Sequence, residues 1–326
     1  MKILTKPKLK IFVEQAVHFL RWEIPSLEKH FTLVDEADEE TILYAFGPDV
    51  LAKAASIPAL RRVIMLFPGF GLNPYHNLEY RQKALNLINA SYDLVFVNPG
   101  PLAVAYKSSE KVSICPFTID GHLINCVAHR KKINSLLHVS APAPQKDWTR
   151  SLEIMQRTGL KHEVYPPRNE NGQSVDFQTR LKRKVNRILN ICNSTFQLKI
   201  PVLAQAGYKD HRKVIQKYQS YDAFVHVASE IVDNRCIDGK YTACTLEAGL
   251  TGAIVFWHDT LQLGNDFETF FNLPVDPQKA AAQILLIKGN LDVERHSRRT
   301  REEILDKNDI SKSVAYRAKK IKELIL

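Results

Sequence analysis

The chain has 326 residues, of which 45% are apolar and 25% charged, with 13 glycines and 16 prolines. This composition excludes a disordered or fibrous protein and predicts either two domains or one large α/β domain. The 45 Lys and Arg residues outnumber the 35 Asp and Glu residues. The resulting net charge of +10 favours polyanionic partners, which are nucleic acid, an anionic lipid surface or a phosphorylated small molecule.

Two further features predict the compartment. No apolar run approaches the roughly 18 residues that a transmembrane helix needs, and the first residues lack the apolar core of a secretory signal. The five cysteines are odd in number and form no Cys-x-x-Cys pair, which argues against a disulfide framework and against a zinc site. We therefore expect a cytoplasmic protein with reduced cysteines.

Short apolar runs alternate with amphipathic stretches of helical length along the whole chain, which is typical of βα units and parallel sheets. The predicted strands of the first half are 3–5, 31–34, 41–46, 62–67, 94–98 and 112–117, with a helical pattern over 13–20. Those of the second half are 136–139, 163–165, 200–203, 223–227, 253–257 and a run near 273–275. The rhythm predicts an α/β protein with two sheets of similar size.

The change from one sheet to the other falls between residues 117 and 136. We divide the chain into a first domain of residues 1–118, a second of residues 119–300, and a basic C-terminal helix at 301–326. Several strands of the first half end in Gly or Pro, and turns at the carboxyl ends of parallel strands form the crevice where such sheets bind ligands.

The segment after the strand 223–227 carries the strongest signal. Its loop places Gly239, Lys240 and Tyr241 at the amino end of a helix that begins near Thr242, where free N–H groups and the helix dipole favour a phosphate. Glu247 lies one and a half turns into that helix. Its carboxylate can accept two hydrogen bonds from the diol of a ribose or sugar, and the alternative interpretation is a surface helix residue.

Residues 245–255 resemble the Glu-Ala-x-x-x-Gly-x-x-Val segment of nucleotide-sugar glycosyltransferases of GT-B fold, particularly the retaining group 1 enzymes. Segments 112–120, 137–147 and 202–208 are similar, in the same order, to the end of the first domain, to the first strand and Lys-containing loop of the second, and to the loop that contacts the base. The resemblance covers roughly residues 110 to 290 and implies two Rossmann-like domains facing a central cleft.

The resemblance implies metal-independent and retaining transfer of a sugar from a nucleoside-diphosphate sugar to an acceptor hydroxyl, with no cofactor. The implied donor-binding residues are Lys146, Tyr208, Gly239, Lys240, Tyr241, Thr242 and Glu247. A second Glu of the family falls at Gly239, so Asp238, one residue earlier, becomes a catalytic candidate. An Arg of the family falls near Ala141, which leaves Lys146 as the matching cation for the donor phosphates.

The first domain offers its own candidates. Gly69, Phe70 and Gly71 form a glycine-containing loop that either binds an acceptor or phosphate or only permits positive φ in a turn. His76 lies just beyond the loop and is either the base that acts on an acceptor hydroxyl or a structural histidine.

Other functions stay open at this stage. No Walker A, His-Glu-x-x-His, EF-hand, Gly-x-Ser-x-Gly or kinase signature is present in the sequence. A nucleotide-sugar epimerase and a nucleic-acid-binding or DNA-glycosylating protein are the alternatives, the second because of the positive charge. The acceptor is expected to be a glycan, a lipid-linked sugar or another polyanion. Basic helices, such as the one predicted around 180–187, would allow peripheral attachment at the inner membrane face.

Overall fold

The computed structural model describes residues 6–14, 20–67, 77–124, 129–141, 146–167, 185, 211–228, 240–259 and 261–325. In this part of the chain there are two parallel β-sheets, the first formed by strands that end before residue 115 and the second by strands that begin at residue 135 or later. Buried side chains cover both faces of each sheet. This arrangement is the α/β class that the strand rhythm predicts.

The first sheet has six described strands in the order β2-β1-β3-β4-β5-β6. They are β1 (Lys8–Phe12), β2 (Thr32–Leu33), β3 (Ile42–Phe46), β4 (Arg61–Leu66), β5 (Leu94–Val97) and β6 (Val112–Ile114). Every residue of β3 and β5 is buried, because a parallel sheet covered on both faces needs apolar side chains on both sides of its central strands.

The second sheet has five described strands in the order β8-β7-β9-β10-β11. They are β7 (Ser135–Val139), β8 (Lys161–Tyr165), β9 (Ala223–His226), β10 (Ile254–Trp257) and β11 (Phe270–Asn272). The predicted strand at 200–203 lies outside the described residues.

The helices follow the strands. They are α1 (Leu20–Leu27), α2 (Leu51–Ala55), α3 (Leu78–Ser91), α4 (Pro101–Ala105), α5 (Trp148–Arg157), α6 (His211–Gln219), α7 (Ala243–Leu250), α8 (Pro277–Asn290), α9 (Val293–Asn308) and α10 (Ile310–Glu323). Polar side chains cap several amino ends, as at Asn77 for α3, Thr242 for α7 and Asp276 for α8. Each cap accepts a hydrogen bond from an N–H that lacks a partner inside the helix.

In each sheet, the direction in which successive strands are added reverses once. In the first, the chain passes from β1 outward to β2 and then returns to the other side of β1 as β3. In the second, β7, β8 and β9 repeat this path. A crevice opens at the carboxyl ends of the strands where the order reverses, and ligands of open α/β sheets bind there.

The start of the chain differs from the prediction. The expected strand at 3–5 lies outside the described residues, and the structure places β1 at Lys8–Phe12, between that predicted strand and the helical pattern predicted over 13–20. Two lysines interrupt the apolar run of β1, and their ammonium groups reach Glu40 and the main-chain oxygen of Asp35 at the sheet edge. The lysine stems cover apolar surface while the charges stay near water, so the strand lacks a strong apolar signal.

The tail forms two helices that pack in different places. α9 contributes Ile304 to the core of the second sheet. α10 returns to the first sheet, where Ile310, Val314, Ala318 and Ile321 join its core. The apolar face of α10 therefore stabilises the first sheet, whereas the sequence predicted only a basic C-terminal helix. The predicted boundaries at 118 and 300 stay predictions.

A buried ion pair holds α10 in place. Arg317 is 1% exposed, and its guanidinium donates to Glu23 Oε1 at 2.7 Å, to the Tyr44 hydroxyl at 2.6 Å and to Thr118 Oγ1 at 3.1 Å. Cys115 lies in the same core, and burial raises the pKa of its thiol to about 12. The thiol is therefore protonated at neutral pH, as a structural cysteine should be.

None of the helices in the described ranges is both long enough and apolar enough to cross a bilayer.

Candidate active site

The candidate site lies at the carboxyl ends of the strands of the second sheet, where β7 lies between β8 and β9. His138 belongs to β7, Ser140 follows that strand directly, and His226 ends β9. The two imidazole rings are stacked, with ring centroids 5.6 Å apart and planes 2° from parallel. Buried polar groups therefore line the place in the sheet where a ligand is expected.

Glu247 is a buried residue of α7 and not a surface one. It is 7% exposed, and its Oε1 lies 2.8 Å from His211 Nε2 at the start of α6. The phenol of Tyr218 faces Glu247 and Cys244, and burial raises the pKa of Tyr218, which keeps the hydroxyl neutral. The carboxylate is thus held in one orientation by a histidine 36 positions earlier in the chain.

Three side chains hold the carboxyl end of α7. Arg130 donates to the main-chain oxygen of Thr251 at 3.0 Å, Arg301 to that of Leu250 at 2.7 Å, and Ser297 to that of Gly252 at 2.6 Å. Main-chain oxygens at a helix end have no partner inside the helix, and positive charge there also stabilises the dipole. These contacts fix the position of α7, which carries Glu247 three to five residues before them.

The loop before α7 is held by the segment 263–270. The Lys240 ammonium lies 2.8 Å from Asp266 Oδ2 and 3.2 Å from the main-chain oxygen of Leu263, and its side chain is only 4% exposed. The Tyr241 ring packs against Trp257, Phe267 and Phe270 at centroid distances of 4.8, 4.9 and 5.7 Å. Both predicted donor-binding side chains therefore anchor the loop, and Lys240 would have to leave Asp266 to reach a phosphate.

The amino end of α7 matches the prediction closely. Thr242 is the N-cap residue, and its Oγ1 accepts a hydrogen bond from the N–H of Thr245. The helix begins at Ala243. On the other side of the crevice, Lys146 is half-buried and directly precedes Asp147, the cap of α5. Lys146 thus follows the loop from β7, on the edge of the sheet that carries Ser140.

The first domain touches the second at the loop before α7. Gly100, in the turn after β5, has a φ of +139°, and a Cβ at this position would lie 3.2 Å from Lys240 Cβ. Only glycine adopts such a conformation readily and permits this approach. The carboxyl edges of the two sheets therefore meet at Gly100 and Lys240.

Several predicted site residues lie outside the described residues. They are His76, Gly69, Phe70, Gly71, Tyr208, Asp238 and Gly239, together with the basic run 180–184 and 186–187. Their roles stay predictions.

Sequence reasoning missed His138, Ser140, His211 and His226. Two of these, His138 and His226, have a local signal, because a histidine inside or at the end of an otherwise apolar buried strand is unusual. His211 had no such signal, since only the fold brings it to Glu247. Within the described residues, no three His, Cys, Asp or Glu side chains lie close enough together to hold a metal ion.

No protein-family model matches the sequence, and a comparison with curated protein sequences finds no match. Solved structures do resemble the chain. HepE of Anabaena in complex with UDP has a TM-score of 0.62 at 13% identity, over 98% of this chain and 100% of that chain. S. aureus TarM has a TM-score of 0.57 at 12% identity, over 86% of this chain and 54% of TarM. The pneumococcal O-GlcNAc transferase GtfA, in complex with UDP and GlcNAc, has a TM-score of 0.55 at 13% identity, over 94% of this chain and 60% of that chain.

At such identities the likeness shows the fold. The chain has two Rossmann-like domains in the GT-B arrangement of these structures, which confirms the predicted fold class.

Proposed function

We propose that this protein is a glycosyltransferase that moves a sugar from a nucleoside-diphosphate sugar to an acceptor hydroxyl. The observation that carries the proposal is the placement of Glu247. A buried carboxylate, oriented by His211, lies on a helix whose amino end faces the crevice of the second sheet. A carboxylate there suits a ribose diol, and free N–H groups at the helix start suit a diphosphate.

The donor roles follow from this placement. Glu247 binds the ribose, and Lys146 and the start of α7 after Thr242 bind the diphosphate. Tyr208 and Gly239, which lie outside the described residues, are assigned to the nucleotide from the sequence alone, while Lys240 and Tyr241 shape the loop that presents α7. Departure of the diphosphate builds negative charge, and fixed cations and N–H groups stabilise that charge without a metal.

The catalytic role of Asp238 rests on the resemblance, whereas the roles of His76 and of the loop of Gly69, Phe70 and Gly71 rest on their residue types and position alone. Asp238 is assigned to the sugar and His76 to the acceptor hydroxyl as a base, with Gly69, Phe70 and Gly71 forming the acceptor loop. The transfer is assigned as retaining and metal-independent. The likeness to HepE, TarM and GtfA supports sugar transfer over the epimerase and nucleic-acid alternatives.

The acceptor is assigned to an anionic or lipid-linked sugar presented at an anionic membrane surface. A basic patch on the first domain, formed by Lys6, Lys29, His30 and Lys322, supports this assignment. Burial and these three lysines lower the pKa of His30. Clustered positive charge of this kind attracts anionic lipid. Co-sedimentation with anionic but not neutral vesicles, weakened by Lys29→Glu with Lys322→Glu, is the expected result; equal binding to both vesicles contradicts it.

A thermal-shift panel tests the donor site. UDP, GDP, ADP, CMP and their sugar conjugates are added to the wild type, and one nucleoside diphosphate should raise the Tm by several degrees, because a ligand at about 100 times its Kd stabilises the native state by about 2.7 kcal/mol. Transfer from the matching sugar nucleotide is then measured on candidate acceptors.

Matched variants make the panel specific. Glu247→Gln should lose most of the ligand-induced shift. Glu163→Gln is the control, since Glu163 is also hydrogen-bonded and partly buried but lies on the edge strand β8. Lys146→Ala should weaken binding of the nucleoside diphosphate more than binding of the nucleoside. A wild type that no nucleotide stabilises at millimolar concentration contradicts the proposal.

A further inference from the structure

His138 and Ser140 form a hydrogen-bonded pair at the carboxyl end of β7. His138 is 0% exposed and Ser140 is 4% exposed. The imidazole Nδ1 lies 2.9 Å from the main-chain oxygen of Val225, and Nε2 lies 2.8 Å from Ser140 Oγ. A carbonyl oxygen only accepts, so Nδ1 carries a hydrogen.

This constraint determines what Ser140 can do. In the neutral imidazole, Nε2 has no hydrogen and accepts the single hydroxyl proton of Ser140. In the imidazolium, Nε2 donates to Ser140 Oγ, and the hydroxyl proton becomes available to another acceptor. An anion beside Ser140 and a proton on His138 therefore stabilise one another.

The surroundings of the pair fit an anion. It lies where the strand order reverses in the second sheet, and Lys146 follows on the loop from the same strand. His226 of β9 is the titratable group that the described residues place against His138, and its stacked ring disfavours charging both imidazoles together. On the other side, β8 places Val164, which does not titrate, at the register position of His138.

We propose that Ser140 donates a hydrogen bond to the leaving diphosphate and that His138, charged when the donor is bound, is the positioning residue that makes this donation possible. The inference rests on the proposed function and deepens it. As the bond between the sugar carbon and the diphosphate oxygen breaks, its electron pair goes to that oxygen. Ser140 keeps its proton throughout, and the proton on His138 is taken from solvent on binding and returned on release of the nucleotide.

Calorimetric titration with a nucleoside, its monophosphate and its diphosphate tests the pair. The three compounds share the nucleobase of the nucleotide that stabilises the wild type in the thermal-shift panel. If that nucleotide is UDP, they are uridine, UMP and UDP. Ser140→Ala and His138→Phe should each weaken diphosphate binding about tenfold or more, as expected for a hydrogen bond to a charged group. Nucleoside binding should change less than about twofold, which a general loss of structure would not produce.

Two controls match the variants. Ser135→Ala removes a hydroxyl from the opposite end of β7, where Ser135 bonds Asp222, and His296→Gln replaces another buried histidine, which bonds the main-chain oxygen of Thr269. Both should leave the ratio of diphosphate to nucleoside affinity unchanged. Ser140→Ala deletes one atom, so it keeps the test decisive if His138→Phe fails to fold.

Proton uptake is the second readout. The heat of diphosphate binding, measured in two buffers of different ionisation enthalpy, should show uptake of protons by the wild type that His138→Phe abolishes. The double variant should bind the diphosphate no more weakly than the poorer single variant, because the two groups act as one unit. Equal losses for nucleoside and diphosphate, additive effects or unchanged proton uptake overturn the inference while the proposed function stands. Absence of any nucleotide binding by the wild type overturns both.

Discussion

Arg317 in the first domain and Arg130 in the second are both buried, but their guanidinium groups have different kinds of partner. Arg317 contacts the Glu23 carboxylate and two side-chain hydroxyls. Arg130 donates to main-chain oxygens of Tyr218, Tyr221 and Thr251 at 2.8, 2.9 and 3.0 Å. The first domain thus pairs a buried guanidinium directly with a carboxylate, whereas in the second the hydrogen bonds of the guanidinium go to main-chain oxygens at two helix ends and the Asp222 carboxylate acts on it only through its charge.

The difference determines what each arginine does. The partners of Arg317 lie on α1, β3 and the segment after β6, so this residue joins the returning tail to the first sheet. The partners of Arg130 lie at the carboxyl ends of α6 and α7, the two helices that carry His211 and Glu247. Burial lowers the pKa of Arg130. The first arginine therefore holds the C-terminal helix α10 against the first sheet, and the second holds the candidate site.

Arg317→Met should give the largest loss of stability, about 3–5 kcal/mol, because it leaves Glu23 buried without its cation. Urea unfolding followed by circular dichroism measures the loss. Adding Glu23→Gln should recover a large part of it, since the uncompensated charge is then gone. A loss below about 1 kcal/mol, or no recovery in the double variant, contradicts the assignment of a buried ion pair.

Arg130→Met should cost less, about 2–3 kcal/mol, because the hydrogen bonds that it removes go to neutral main-chain oxygens, whereas Arg317→Met leaves a hydrogen-bonded carboxylate buried. Hydrogen exchange should show the added opening mainly in α6 and α7. Arg298→Met is the control, since Arg298 forms an exposed pair with Glu294 one turn away and should cost less than about 0.5 kcal/mol. A cost for Arg130→Met as large as that of Arg317→Met would remove the distinction between the two arginines.

Gly100→Ala should cost about 1–3 kcal/mol and also reduce sugar transfer, because it strains the backbone and pushes the first domain away from Lys240. Gly159→Ala separates the two effects. Gly159 also has a positive φ, +67°, but no atom lies within 4 Å of its added Cβ. It should lose stability from backbone strain while transfer stays unchanged. Equal activity in the two variants contradicts a domain contact at Gly100.

His296 should give the smallest effect, a pH dependence of about 1 kcal/mol or less. It is buried and neutral, and burial lowers its pKa, with the Arg299 charge acting in the same direction. The unfolded chain then binds a proton more readily, so the stability present above about pH 6.5 is lost as the pH falls toward the lowered folded pKa. His296→Gln should flatten this slope in unfolding measured between pH 7.5 and 5.5. An unchanged slope would assign the dependence to another group.

Much of the fold could be predicted from local patterns. Buried apolar runs such as β3, β5 and β10 need no distant information, because a strand covered on both faces is apolar throughout. The start of α7 at Thr242 was also predictable, since a capping hydroxyl acts within one turn. β1 was not predicted, because Lys8 and Lys10 interrupt its apolar pattern.

The candidate site was predictable only in part. Glu247 and the helix start follow from residue types and spacing. The hydrogen bond that orients Glu247 comes from His211, and the ion pair that holds Lys240 comes from Asp266, and neither partner is marked in the sequence. A lysine or a histidine looks the same in sequence whether it faces solvent, a ligand or a carboxylate from another segment.

The amino-acid sequence by itself determined the α/β class, the rhythm of strands and helices, and the position of the acidic residue on its helix, because these depend on periodicity and on contacts within a few residues. The tertiary structure decided that α10 returns to the first sheet and that Arg317 meets Tyr44, 273 positions away. It also decided that His138 and Ser140 lie where the strand order reverses. Such contacts depend on how whole elements pack, and no local pattern specifies a partner that is remote along the chain.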